Sequence, residues 1–336
     1  MGTRPSHFLC GALCCALLSC QTGHAWSNRG HRMINLAAAE TLPGDMPAFM
    51  RTSAAIAEIA YLGPEPDRWR PNIAPDLNRA SSSDHFFRYE AAAALGPLPR
   101  RRYDYLQLLD DQRARHPELK AQLTAQSVGT LPWGVEEVYE RLVCTFFDYR
   151  LVTGDIPASA GVDMEPMTKA DLPQIEDAAL YYAGWLGHYV GDGSMPLHAS
   201  IHIHGWAGPS NPNGYNTKGS IHHQFEVLAD DAIAANKVTA KEVAGYMPAP
   251  HAVGDSFGET LDYLRREGAY AEQVYRLDKQ GALTGTGTPE ADEFIARRMA
   301  EGSAMLRDLI YSAWLQSKLL QAPATPDTVT LQERRK

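Results

Sequence analysis

Past residue 25 the chain has a single cysteine, Cys144; the other four (Cys10, Cys14, Cys15, Cys20) fall within the first twenty positions. One thiol cannot make an internal disulfide, so the fold must hold by its core, which 336 residues are enough to build. Cys144 lies in an apolar helical stretch and reads as a buried core residue. Also missing after residue 25 is any run of about 18 apolar residues, so no transmembrane helix is expected. Nor is there an excess of base: 31 Lys+Arg face 40 Asp+Glu, a net charge of −9 at pH 7. An acidic envelope disfavours loose adhesion to nucleic acid or anionic membrane, so an anionic substrate would have to be attracted locally. No serine sits in a nucleophile motif, no internal repeat is present, and the strict alternation of half-buried strands is scarce.

What is there begins with a targeting segment. Residues 1–25 carry Arg4, an apolar run from Phe8 to Leu18, and the small residues of Gly23-His24-Ala25 before the cut, the pattern of a secretory signal peptide. The mature chain would begin at Trp26, secreted or periplasmic, and losing Arg4 takes its charge from −9 to −10. A competing reading makes Leu17-Leu18-Ser19-Cys20 a lipobox that anchors a lipoprotein through Cys20; the bulky Leu18 fits that motif poorly.

Beyond the signal, apolar residues recur at three- and four-residue steps, which predicts an all-α, single-domain multi-helix bundle over residues 26–322. Helices are expected over His31–Thr41, Met46–Leu62, Val135–Val152, Ile175–Gly191, Ile221–Asp230, Ser256–Leu277 and Pro289–Leu320. The fourth of these is apolar over much of its surface and belongs in the middle of the bundle. Ala199–Ser220 reads as a long functional loop, and residues 323–336 as a flexible tail. Arg100-Arg101-Arg102 reads as a solvated surface turn.

The chemistry concentrates in His188, Asp192, His198, His222 and Glu226. Residues four apart share a helical face, so His188 can point with Asp192, and His222 with Glu226. Gly191, Gly193 and Pro196 should interrupt the helix, bringing His198 in from a turn. An ionised carboxylate at the end of so apolar a helix is costly unless paired or metal-bound, and zinc accepts both imidazole nitrogen and carboxylate oxygen. A lone His/Asp pair is more often a structural hydrogen bond; two pairs flanking a third histidine favour a metal site. His202, His204, His223 and His251 stand outside this pattern and read as solvated or hydrogen-bonded histidines.

The run His188-x3-Asp192-x5-His198, followed by His222-x3-Glu226, resembles the zinc-dependent phospholipase C / S1–P1 nuclease superfamily. The resemblance extends upstream, in family order, through Trp26-Ser-Asn-Arg-Gly-His31, Asp67-x-x-Arg70 and Asp84-His85-Phe86. It implies three Zn²⁺ ions in a cleft. Asp67, His85, His188 and Asp192 would hold the first, and His198, His222 and Glu226 the second. The third would take the Trp26 amine and carbonyl, His31, and Asp192 as a bridge. That amine is a donor only if the signal is cut before Trp26, and near its ordinary pKa of about 7.7–8.0 it can yield its proton to a metal. Three ions against Asp67, Asp192 and Glu226 leave the site net positive inside a negative envelope. Zinc would lower the pKa of a bound water towards about 7. Asp67 would orient that water or take its proton, and Arg70 would hold phosphate by a two-pronged hydrogen bond. Asp84 could orient a ligand from behind.

The resemblance leaves the substrate between two branches. The short Trp26–His31 spacing, Asp67-x-x-Arg70, and a long His198–His222 interval whose Gly214-Tyr215-Asn216 resembles a nuclease loop lean towards nucleases. Phe86 would then stack on a base and Asn216 would contact substrate. Glu226, where nucleases usually carry Asp, leans towards phospholipases. Arg88 stands where nucleases carry a base-reading Asp, and arginine cannot accept a hydrogen bond. The expectation is a secreted, monomeric zinc phosphodiesterase with no stable protein partner, acting on single-stranded DNA or RNA or as a 3′-nucleotidase. A phospholipase C and a non-catalytic, zinc-stabilised envelope protein are the alternatives.

Overall fold

The computed structural model describes residues 26–70, 73–161, 167–319 and 325–331. The expected signal segment, its expected cut and Cys20 lie outside them. Among the described residues the elements in chain order are α1 (Asn28–Glu40), α2 (Ser53–Leu62), α3 (Pro75–Ser81), α4 (Tyr89–Ala93), β1 (Leu98–Pro99), α5 (Arg102–Arg115), α6 (Ala125–Val128), α7 (Leu131–Thr153), α8 (Leu172–Ser194), α9 (Ile221–Ala234), α10 (Ala240–Tyr246), α11 (Ser256–Gly268), α12 (Ala271–Lys279), α13 (Pro289–Gln316) and β2 (Thr328–Val329). The fold is all-α, and no described helix is long and apolar enough to cross a membrane.

The centre is α8, packed by α7, α13, α2 and α1. Its first turn holds Pro173, whose missing N–H costs nothing there. It does not stop at Gly191 and Gly193 as expected, but runs to Ser194. The physical reason is close approach. A Cβ at Gly184 would meet Leu62 Cβ at 2.3 Å, at Gly187 Asn35 Oδ1 at 2.0 Å, and at Gly191 His31 Nδ1 at 3.0 Å. At steps of three and four these glycines form one stripe, against which α1 and α2 lie. Buried Asn35 fastens the seam, donating to the carbonyls of Ile59 (2.8 Å) and Gly184 (3.0 Å).

Other departures have local causes. The helix expected over Ser256–Leu277 breaks at Ala269–Tyr270 into α11 and α12. The arginine run is not a solvated turn: Arg102 opens α5 and bonds Asp84 (2.7 Å) and Glu137 (2.7 Å), Arg100 reaches Asp255 (2.5 Å), and only Arg101 is left outside. Tyr105 then stacks on Trp133 with centroids 3.9 Å apart, anchoring a helix whose sequence carries little amphipathic signal. Cys144 is exposed, not core. It lies two residues from buried Leu142, roughly 200° round the helix, on the face away from the core stripe. In the tail, Thr328 and Val329 pair antiparallel with Pro99 and Leu98, and Leu331 is buried.

Candidate metal centre

His31, Asp67, His85, His188, Asp192, His198, His222 and Glu226 are all buried, from 0% exposed for His31, His188 and Asp192 to 8% for Asp67. They form three abutting groups able to hold a metal ion: His31–His188–Asp192, Asp67–His85–His188, and His198–His222–Glu226. Each is brought in by a different device. α8 supplies His188 and Asp192 one turn apart, and α9 supplies His222 and Glu226 likewise. His198 arrives from the turn after α8, as its distance from Pro196 implied. His31 reaches the site because the glycine stripe lets α1 close in, its ring stacking on His188 at 4.1 Å.

His85 sits at the end of a 3-10 turn, Ser82–His85, tied to the start of α7. Thr130 N donates to Ser83 O (2.7 Å), and Thr130 Oγ1 and Arg102 Nη1 lie 2.6 and 2.7 Å from Asp84 Oδ1. Asp84 thus fixes the turn rather than gripping the His85 ring. Gly129, at φ +95°, closes the seam; a Cβ there would sit 2.0 Å from Phe86 O. Asp67 is carried by the 3-10 turn Pro66–Trp69, with Arg70 Nε 3.1 Å from its Oδ1.

The donor set can be read from its hydrogen bonds. His188 Nδ1 donates to Gly63 O (2.9 Å) and His198 Nδ1 to His85 O (2.5 Å), because a carbonyl can only accept. Burial, with neighbouring histidines second among the forces on His198 and His188, keeps both rings neutral by pushing their pKa well below the ordinary value. Each Nε2 is therefore a lone pair facing inward. His198 Nε2 points at His222 Nε2 (3.0 Å), and His188 Nε2 at His85 Nδ1 (3.0 Å). His85 Nδ1 is also 2.9 Å from Asp192 Oδ2, so one N–H would have to serve two acceptors. Asp192 Oδ1 and Glu226 Oε1 are buried and accept no well-aligned hydrogen bond among the described residues. A cation at each group satisfies this excess of acceptors, and the backbone carbonyls behind the rings fix their tautomer as they do around metals. The residues fit metal ions.

Asp192 faces two ways. Its Oδ2 lies 2.9 Å from His85 and 3.4 Å from His188, while Oδ1 lies 3.5 Å from His31. Burial and then the neighbouring Asp67 push its carboxyl pKa well above the ordinary value, against the pull of Arg70. At Trp26 the side chain is fully buried, donating from Nε1 to Ser194 Oγ (2.8 Å) at the end of α8 and lying 5.7 Å from Phe225 of α9.

The remaining expected residues are scattered around this core. Phe86 is half-buried, with the Arg88 guanidinium 5.6 Å from its ring centre. Asn216 is spent on its own loop: its Oδ1 accepts from Lys218 N (2.9 Å) and its carbonyl from Trp206 N (2.8 Å). That loop is packed, with His202 stacked on Trp206 (4.0 Å) and Tyr215 bonded to Glu272 of α12 (3.0 Å). His204 stands 5.9 Å from the His222 ring, His223 points to solvent, and His251 pairs with Asp308 (2.7 Å). A cavity of about 590 Å³ between α1 and α9 is lined by Glu226 with Arg29, Arg32 and Asp230. Gly63 and the His85 carbonyl, which orient two ligands, were invisible in the sequence because a backbone acceptor has no residue signature. No known family model matches this chain, and no curated protein matches it.

Proposed function

We propose that this chain is a secreted, zinc-dependent phosphoric ester hydrolase of the phospholipase C / S1–P1 nuclease superfamily, acting on single-stranded nucleic acid or 3′-nucleotides. The observation that carries the reading is Asp192, whose two oxygens serve two adjoining histidine groups with a third group alongside. A structural site needs one closed ligand set; abutting sets sharing a carboxylate are the arrangement of multinuclear hydrolytic centres. Asp67, His85, His188 and Asp192 would hold one ion, His31 and Asp192 with a freed Trp26 terminus another, and His198, His222 and Glu226 the third. Such ions supply Lewis acidity towards phosphoryl oxygens and acidify water.

The chain's own groups do the rest. Asp67 is the least buried carboxylate of its group and can accept a proton from an attacking water. Arg70, whose Nε lies 3.1 Å from Asp67 Oδ1, would bring its positive charge to a phosphate oxygen and neutralise charge developing there. His188 and His198, kept neutral by burial, stay ligands instead of competing for protons. The acidic envelope confines attraction for anions to this site.

The phospholipase C reading rests on Glu226 and on Arg88 beside Phe86. Purified mature protein should be assayed on single-stranded DNA, RNA, a 3′-nucleotide and phosphatidylcholine, with chelator and with Zn²⁺ restored. Nucleolysis lost with chelator and regained with zinc is the expected result. Lipid hydrolysis without nucleolysis transfers the protein to the second reading, and zinc retention with no hydrolysis leaves a structural role.

A further inference from the structure

In a chain with 40 acidic residues, Arg88 is a half-buried cation without a carboxylate partner among the described residues. Its Nε is fully buried and makes no hydrogen bond, and burial alone shifts its pKa, downwards. The nearest acid in sequence, Glu90, is already used: it accepts from Ser200 Oγ (2.8 Å) and Ile201 N (3.0 Å). Desolvating a guanidinium without pairing it is costly, so a fold that keeps it this way leaves it to be paired by something else.

Its position is set by the metal centre. Phe87 N donates to His198 O (2.9 Å) and His198 Nδ1 to His85 O, so residues 85–88 run directly against the turn carrying His198. Phe86 is extended, and Phe87 turns inward to full burial. Phe86 and Arg88 therefore share the opposite side of the segment, with the guanidinium 5.6 Å from the ring centre. The ring holds the cation from one side and leaves its N–H fork for a ligand.

We propose that Arg88, braced by Phe86, forms an anion subsite beside the His198–His222–Glu226 group that takes a second phosphate of the substrate. This rests on the phosphoric ester reading of the centre. It favours phosphodiesters with a further phosphate near the scissile one, whether that phosphate comes from a polynucleotide chain or from a phosphorylated lipid headgroup. A bidentate guanidinium–phosphate contact supplies the preference.

The test uses hydrolysis-proof probes. Binding of propane-1,3-bisphosphonate and of propylphosphonate to the metal-loaded protein is measured by calorimetry for the parent and for Arg88→Gln. The bisphosphonate should lose roughly 10-fold or more in affinity with Arg88→Gln, the range of a lost hydrogen bond between charged groups, and the monophosphonate less than about twofold. Equal changes for both probes, or none for either, overturn the subsite. If Arg88→Gln does not fold, phenylglyoxal modification of the parent carries the test by peptide mapping. The bisphosphonate should protect Arg88 and the monophosphonate should not; protection by neither overturns it. Binding is read without turnover, so an Arg88-dependent bisphosphonate preference in a protein that hydrolyses nothing sinks only the enzymatic reading. Hydrolysis with unchanged probe binding in Arg88→Gln sinks only the subsite. On polynucleotide and on phosphorylated lipid, Arg88→Gln should raise KM more than it lowers kcat for whichever is the substrate.

Discussion

Replacing Asp192 by Asn should move stability in opposite directions with and without metal. The carboxylate is fully buried, and its two oxygens reach His85 and His188 on one side and His31 on the other. Asn keeps the shape, removes the charge and turns one oxygen into a donor that no metal accepts. Two ions should therefore be lost or loosened together, each by more than the 10- to 100-fold seen when only a ligand's outer partner is disturbed. His198→Ala touches one group and should cost one ion. With metal at about 100 times its Kd, each ion contributes about 2.7 kcal/mol to stability, so Asp192→Asn should forfeit roughly 5 kcal/mol of metal-dependent stability. Without metal the sign reverses. A carboxyl whose folded pKa lies above its unfolded value of about 3.9 stabilises the fold only while protonated, and that stability is lost as pH rises. Asp192 is such a group, so metal-free Asp192→Asn should be as stable as the parent at pH 7 or more so. The assays are elemental analysis after dialysis against buffered zinc, and urea unfolding with and without chelator. Equal metal loss in Asp192→Asn and His198→Ala would refute the bridge; equal destabilisation with and without metal would refute the charge argument.

Three further outcomes follow from the packing. Gly187→Ala puts a methyl 2.0 Å from Asn35 Oδ1 and should cost about 1–3 kcal/mol in urea unfolding by prising α1 from α8; an unchanged midpoint would remove the stripe's role. Glu136, whose pKa burial raises from 4.5 to about 7, holds its proton in the fold after the unfolded chain has released it. Stability should therefore fall by up to roughly 3 kcal/mol as pH rises through that window, and Glu136→Gln should flatten the slope in pH-dependent unfolding. Cys144, exposed with a thiol pKa raised by partial burial and nearby Asp148, should be alkylated in the native protein, slowly at pH 7 and faster above pH 9; protection until unfolding would return it to the core.

The sequence by itself determined what depends on neighbours along the chain. Three- and four-residue periodicity gave the all-α class and the long helices, since a helix buries the face its spacing defines. The same periodicity paired His188 with Asp192 and His222 with Glu226, and Pro196 announced the turn that delivers His198. Cys144 was misjudged as core, because its apolar neighbours along the chain do not say which face of the helix it occupies. Only the tertiary structure decided contacts between segments far apart in sequence. It showed the glycines of α8 to be a docking groove, because a glycine's missing Cβ looks the same whether it breaks a helix or admits a neighbour. It placed His31 against His188, gave Arg102 to Asp84, and set the tail beside Leu98. It also turned Asp192 from a member of a helical pair into a carboxylate with an oxygen towards each of two groups, since that depends on which rings three other segments bring to its sides.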